Sequence, residues 1–165
     1  MSYVARSDRP ENKADRYAEV EQEILAVLDG EPDRIARMAT VASMLADAFA
    51  PRFFWTGFYV VDPMKDAELV VGPYQGTLGC LRIPFSRGVC GAAARHRQTQ
   101  LVDDVDAFPG HIACDSRSRS EVVVPVLDPA GDLIAVLDVD STEPAAFDAE
   151  DARALESLMK KVFAQ

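Results

Sequence analysis

Apolar positions along this chain recur with two different periods. Tyr17, Val20, Ile24 and Leu28 are spaced by three and four, which predicts a helix with one buried face. Gly30 stops that helix and Pro32 prevents an immediate restart. Asp33 is placed to cap a second helix, with Ile35, Met38, Ala42, Leu45 and Phe49 as its apolar face and Pro51 as its end. From Phe53 the pattern changes. Phe53 to Val61 is aromatic and β-branched and predicts a strand. Asp62-Pro63 opens a turn, and Glu68 to Tyr74 is its hairpin partner. Leu81 to Phe85 predicts a third strand, Gly88 to Arg97 a short alanine-rich helix, and Gln100 to Val102 a further short strand.

The C-terminal third repeats the strand period. Ser120 to Leu127 and Leu133 to Asp140 flank Asp128-Pro129-Ala130-Gly131-Asp132. Pro suits the second position of such a turn and Gly supplies positive φ. Asp148 then caps a last helix, with Glu150 and Asp151 favourably placed in its first turn and Leu155, Leu158, Met159 and Val162 as its stripe. Strands joined by tight turns and bracketed by helices predict an α+β fold, an antiparallel sheet with helices packed on it. Residues 1–14 read as a flexible arm and 15–165 as one domain, with no repeat and no linker.

Composition narrows the function. A chain of 165 residues fits one domain. Its net charge of -10 repels phosphate backbones and anionic membranes, so neither nucleic acid nor membrane is an expected partner. Met1 to Ala14 holds no apolar signal segment and no apolar run spans a bilayer, so a cytoplasmic location is expected. Thiols are kept reduced there. No Walker or dinucleotide fingerprint is present, so no nucleotide cofactor is expected, and Gly88, Gly91 and Gly110 read as backbone devices.

Two sets of residues could carry chemistry. Asp138 and Asp140 interrupt an otherwise apolar strand, and their two-residue spacing puts both on one face. Glu121 begins the neighbouring strand. These acids either sit at strand ends in water or form an acidic pocket. In a pocket they would raise one another's pKa, keep a proton near neutrality and attract an ammonium group. The other set is Cys80, Cys90 and Cys114 in C-x9-C-x23-C spacing. Without a C-x2-C pair, no structural zinc site is expected. Cys90, on the short apolar helix, fits a core residue. Cys114 lies in a long irregular stretch, Asp103 to Arg119, beside His111, Asp115, Arg117 and Arg119. Cationic neighbours would lower its pKa. Cys80 follows Gly76 and Gly79, where the chain can bend close to another segment, and could meet a second mobile cysteine in a transient disulfide. Trp55 alone reads as a core aromatic.

Taken together, the segments WTGFY (Trp55 to Tyr59), GPYQG (Gly72 to Gly76), GVCG (Gly88 to Gly91), PGHIACD (Pro109 to Asp115), SEVVVP (Ser120 to Pro125) and LDVDS (Leu137 to Ser141) resemble the free methionine-(R)-sulfoxide reductases. The resemblance covers Phe53 to Phe163. It implies a GAF domain, with an antiparallel sheet of about six strands flanked by helices. It implies Cys114 as nucleophile, Cys80 as the cysteine that resolves it, and Cys90 as a second redox partner. Glu121, Asp138 and Asp140 match the family's acidic pocket, with Glu121 or Asp140 as proton donor. Trp55 and Tyr59 match substrate-binding aromatics. Implied partners are free methionine sulfoxide, thioredoxin as reductant and a second copy of the chain, with no metal.

One tension follows. Carboxylates near Cys114 oppose thiolate formation, so either Arg117, Arg119 or His111 offsets them, or the ammonium of the substrate does. Two rival readings stand beside the enzyme: a sensory GAF module that binds a ligand or senses redox state without turnover, and a metal-binding regulator using Cys80, Cys90, Cys114 and His111.

Overall fold

The structure is a computed structural model and describes residues 8–164. Helix α1 (Lys13–Val27) and helix α2 (Arg34–Phe49) come first, each started by a side chain the sequence supplies. Asn12 accepts from the Asp15 amide, and Asp33 accepts from the Ala36 amide. The expected arm therefore ends earlier than position 14: Lys13 and Ala14 already belong to α1, and Arg9 donates to Glu23. The expectation for residues 1–7 lies outside the described residues. Along α2, Met38, Ala42, Leu45 and Phe49 are buried as expected, but Ile35 is 68% exposed. Ile35 sits in the first turn of the helix.

Six strands follow in chain order: β1 (Trp55–Val61), β2 (Glu68–Gln75), β3 (Arg82–Pro84), β4 (Gln100–Val102), β5 (Ser120–Leu127) and β6 (Leu133–Ser141). Helix α3 (Gly88–His96) lies between β3 and β4, and α4 (Ala149–Phe163) closes the chain. The sheet order is β3-β2-β1-β6-β5-β4, with every neighbouring pair antiparallel. β1 and β3 are shorter than the apolar runs that predicted them. Phe53 and Phe54 precede β1, although the Phe54 amide still donates to the Asp140 carbonyl at 2.8 Å.

The alternation of strand residues sorts the molecule into two cores. Phe58, Val122, Val124, Val126, Ala135, Leu137 and Val139 point to one face, where α1, α2 and α4 cover them. Tyr59, Val123 and Val136 point to the other, where α3 and the loops around it cover them with Val89, Cys90 and Ala93. β6 is covered on both faces, which is why its sequence is nearly all apolar. Its acids fall on the α3 face.

The last helix does more than complement its own dipole. Asp148 and Asp151 form a capping box. Asp151 is also fully buried, where it accepts from the Tyr17 hydroxyl at 2.8 Å, from Arg52 at 2.9 Å and from Lys13 at 2.9 Å. One carboxylate thus ties α4 to α1 and to the segment after α2.

Candidate active site

The register of three strands builds the floor of a cavity. Trp55 on β1 lies opposite Asp140 on β6, and Asp140 lies opposite Glu121 on β5. One row further on, Gly57, Asp138 and Val123 are aligned in the same way. Directly opposed side chains on one face approach within about 5 Å at their Cβ atoms. The three carboxyl groups are therefore forced together by backbone pairing. Glu121 is 5% exposed and Asp138 is 6% exposed, while Asp140 is half-buried. The acids do not sit at strand ends in water; the pocket alternative holds.

The walls are aromatic on one side and loop on the other. Trp55 stacks on Tyr59, with ring centres 5.5 Å apart, and on Tyr74, at 5.1 Å. The indole N–H of Trp55 donates to the Thr77 carbonyl at 2.9 Å, which fixes the ring. Gly57 makes this stacking possible. A Cβ there would come within 2.2 Å of Tyr74 Cβ and 2.9 Å of Trp55 Cη2. Gly79 passes as closely, since a Cβ there would lie 2.9 Å from the Tyr59 hydroxyl. The opposite wall comes from the long stretch between β4 and β5. It contains a 3-10 turn at Val105–Ala107 and brings His111, Ile112 and Cys114 to the cavity. Gly88, with φ +68, lets α3 begin beneath the Ile112 side chain.

Cys80 and Cys114 are joined in a disulfide across 34 residues of sequence. Cys114 lines the cavity together with the three acids, Trp55 and Tyr59, whereas Cys80 does not line it and packs against the second core. Cys90 is a free, buried thiol that also lines the cavity. It therefore fits the core reading in its packing but not in its surroundings, because it hydrogen-bonds with Asp138.

Burial governs the electrostatics. It pushes the Glu121 carboxyl well above the usual range, and the charges of Asp138 and Asp140 add to the effect. Asp140 rises well above that range for the same kind of reason, desolvation and then the Asp138 charge, against a hydrogen bond with Ser118. Asp138 is pushed up to about 6 by burial, with hydrogen bonds from Cys90 and Glu121 holding it back. Burial and the surrounding carboxylates push the Cys90 thiol up as well. Each carboxyl of the cluster holds its proton to higher pH than an isolated carboxylate would.

The expected cationic offsets are committed elsewhere. Arg117 forms two side-chain hydrogen bonds with Asp115, at 3.0 and 2.8 Å, and lies 4.8 Å over the Phe54 ring. Arg119 is exposed and lies 4.0 Å from Asp106. Burial lowers the pKa of His111, which favours the neutral ring. None of the three supplies a fixed positive charge to the acids. The four-residue metal reading is corrected too, because two of its thiols are bonded to each other. The group that does converge consists of Cys90, Glu121 and Asp138. Two contributors escaped sequence reasoning. Ser118 bonds to Asp140, and Thr77 donates its hydroxyl to Asp115 at 2.7 Å. Neither belongs to a pattern that sets it apart from other loop hydroxyls.

Known proteins resemble this chain in sequence and fold. A family model described as GAF domain matches residues 35–162. The chain is 44% identical over 149 residues to GAF domain-containing protein A of Dictyostelium discoideum, covering 90% of this chain and 91% of that one. It is 39% identical over 151 residues to the free methionine-R-sulfoxide reductase of Escherichia coli (strain K12), covering 92% and 88%. Its fold is similar to the X-ray structure of the free methionine-R-sulfoxide reductase from Neisseria meningitidis in complex with its substrate. That match has a TM-score of 0.89 and 46% identity, and covers 96% of this chain and 93% of that one.

Proposed function

This chain belongs to the GAF-domain family of free methionine-R-sulfoxide reductases, and on that premise we propose that it reduces free L-methionine-(R)-sulfoxide to methionine, with Cys114 as nucleophile. The observation that carries the assignment is the Cys80–Cys114 disulfide at a cavity floored by Glu121, Asp138 and Asp140. Of the two bonded cysteines, Cys114 lines the cavity and Cys80 does not, which supports Cys114 as the one that meets a substrate.

The chemistry follows from these positions. The Cys114 sulfur attacks the sulfoxide sulfur, and the developing oxyanion takes a proton from Glu121 or Asp140. The protonated oxygen passes from the methionine sulfur to the Cys114 sulfur as the S–O bond and the new S–S bond break, so methionine leaves and Cys114 carries the oxygen as a sulfenic acid. The Cys80 thiol attacks that sulfur, water departs, and the disulfide forms. A dithiol then donates two electrons and two protons to regenerate both thiols. In this reading the dithiol is thioredoxin, the site of action is the cytoplasm and the assembly is a homodimer. Cys90 serves as a second redox partner, and its raised pKa keeps its thiol protonated and slows it as a nucleophile.

Specificity for the free amino acid follows from charge. The carboxylates need a cation, and an α-ammonium group supplies one. A peptide amide carries no charge and would leave buried anions unpaired. Ammonium binding also offsets the repulsion that opposes a thiolate at Cys114. The substrate thus brings the positive charge that Arg117, Arg119 and His111 do not provide. Trp55 and Tyr59 give the sulfur end an apolar wall.

The test is an assay of the R and S epimers, free and in a peptide, with the wild type and Cys114→Ser. Turnover of the free R epimer alone, abolished in Cys114→Ser, is the expected result. Full turnover in Cys114→Ser would remove the assigned nucleophile. Binding of methionine sulfoxide without turnover by the wild type would favour a sensory module.

A further inference from the structure

We propose that Cys90, Glu121 and Asp138 form a binding site for a zinc-class divalent cation, and that this cation and the substrate ammonium exclude one another. The Cys90 sulfur and one carboxylate oxygen each from Glu121 and Asp138 all lie within 4.8 Å of one another. Around a tetrahedral zinc ion, neighbouring ligand atoms stand roughly 3.4 to 3.8 Å apart, given the bond lengths of about 2.0 to 2.3 Å. Small side-chain shifts close that gap. The three donors come from α3, β5 and β6, so rigid elements hold each of them.

A second observation points to a ligand. Asp138 is 6% exposed and lines the cavity, yet its Oδ1 has no protein hydrogen-bond partner. A buried carboxylate oxygen without a partner is costly. The nearby His111 Nδ1, 3.8 Å from Glu121 Oε1, is also buried without one. Three protein ligands that leave a fourth position open are the pattern of an accessible zinc site, and His111 lines the same cavity.

Cys90 separates this site from a simple ammonium pocket. An ammonium group needs acceptors, and a neutral thiol is a poor one. A borderline cation turns the thiol into a thiolate ligand and gains most from the residue an ammonium uses least. Two carboxylates and a thiolate carry three negative charges, of which the ion neutralises two. Occupancy would fill the space assigned above to the substrate ammonium. The competition rests on that assignment; the metal site itself does not.

Cobalt(II) is the probe, since a thiolate ligand to cobalt gives a near-ultraviolet charge-transfer band. In the disulfide form of the full chain, Cys90 is the sole free thiol. Cobalt titrated into that form is expected to raise the band. Cys90→Ser should abolish it, and Glu121→Gln should weaken cobalt binding at least about tenfold, because even outer-shell losses reach that size. Circular dichroism checks that both variants are folded. No band, or a band that survives in Cys90→Ser, overturns the site. In the Cys80→Ser/Cys114→Ser double variant, free methionine sulfoxide is expected to displace cobalt. Failure to displace it overturns the competition. Loss of the substrate reading would show instead in the turnover assay, with the cobalt band unchanged.

Discussion

Glu121 and Asp140 face each other directly across the β5–β6 pair. Both carry raised pKa values, and each belongs to the same cavity as Cys114. Either can hold the proton that a departing sulfoxide oxygen requires. In single-turnover experiments with pre-reduced protein, the variant that removes the donor should slow methionine formation by about 10²- to 10⁴-fold. The partner variant should act mainly through binding. Comparing Glu121→Gln with Asp140→Asn therefore identifies the donor, and wild-type rates in both would sink the proton-donor role.

Asp138 is expected to cost the free protein stability. Its pKa is raised from an unfolded value near 3.8 to about 6 in the fold, so the folded state binds the proton more tightly. Stability is then highest below about pH 4 as far as this group is concerned, and is lost as pH rises through the window up to about 6. Asp138→Asn should raise the stability of the free protein at pH 8 by roughly 1–3 kcal/mol. It should also raise KM for methionine sulfoxide about tenfold, since a paired charge is lost. Urea unfolding at pH 5 and pH 8, alongside kinetics, tests both effects. A variant less stable than the wild type at pH 8 would contradict the account.

Gly79 sets the position of the aromatic wall. A methyl group there would stand 2.9 Å from the Tyr59 hydroxyl and 3.1 Å from Trp55 Cζ2. Gly79→Ala should therefore move the aromatic pair and lower kcat/KM by roughly 10- to 100-fold. Its melting temperature should change little, because Gly79 lies in a loop between β2 and β3. Unaltered kinetics would show that the wall yields freely.

Asp151 is a structural counterpart to the functional acids. It is fully buried, yet the Tyr17, Arg52 and Lys13 side chains and the Asp148 amide all donate to it, whereas Asp138 keeps an oxygen without a partner. Asp151→Ala leaves Tyr17, Arg52 and Lys13 without their shared acceptor. The expected loss is about 3 kcal/mol of stability, read by denaturant unfolding, with kcat intact under stabilising conditions. A loss under about 1 kcal/mol would mean that water replaces the carboxylate.

Much of this architecture is legible in local pattern. Helical spacing marks Tyr17, Val20 and Ile24, and strand alternation separates Val139 from Asp138 and Asp140, because backbone geometry dictates both periods. Ile35 shows the limit: it matches the helical period, yet it is exposed. Periodicity states which side of an element is apolar, not where its partner ends.

The same division runs through the site. Sequence alone placed Asp138 and Asp140 on one face, put Cys114 in a loop and left the choice between solvated acids and a closed pocket open. Tertiary structure decided that choice, because strand register, a property of two chain segments at once, sets Glu121 against Asp140 and Gly57 against Asp138. It likewise kept Arg117, Arg119 and His111 from supplying a fixed cation to the acids, with Arg117 held locally by Asp115 and Arg119 out beside Asp106. Charge balance depends on distances between residues far apart in the chain, and no spacing within one segment encodes them.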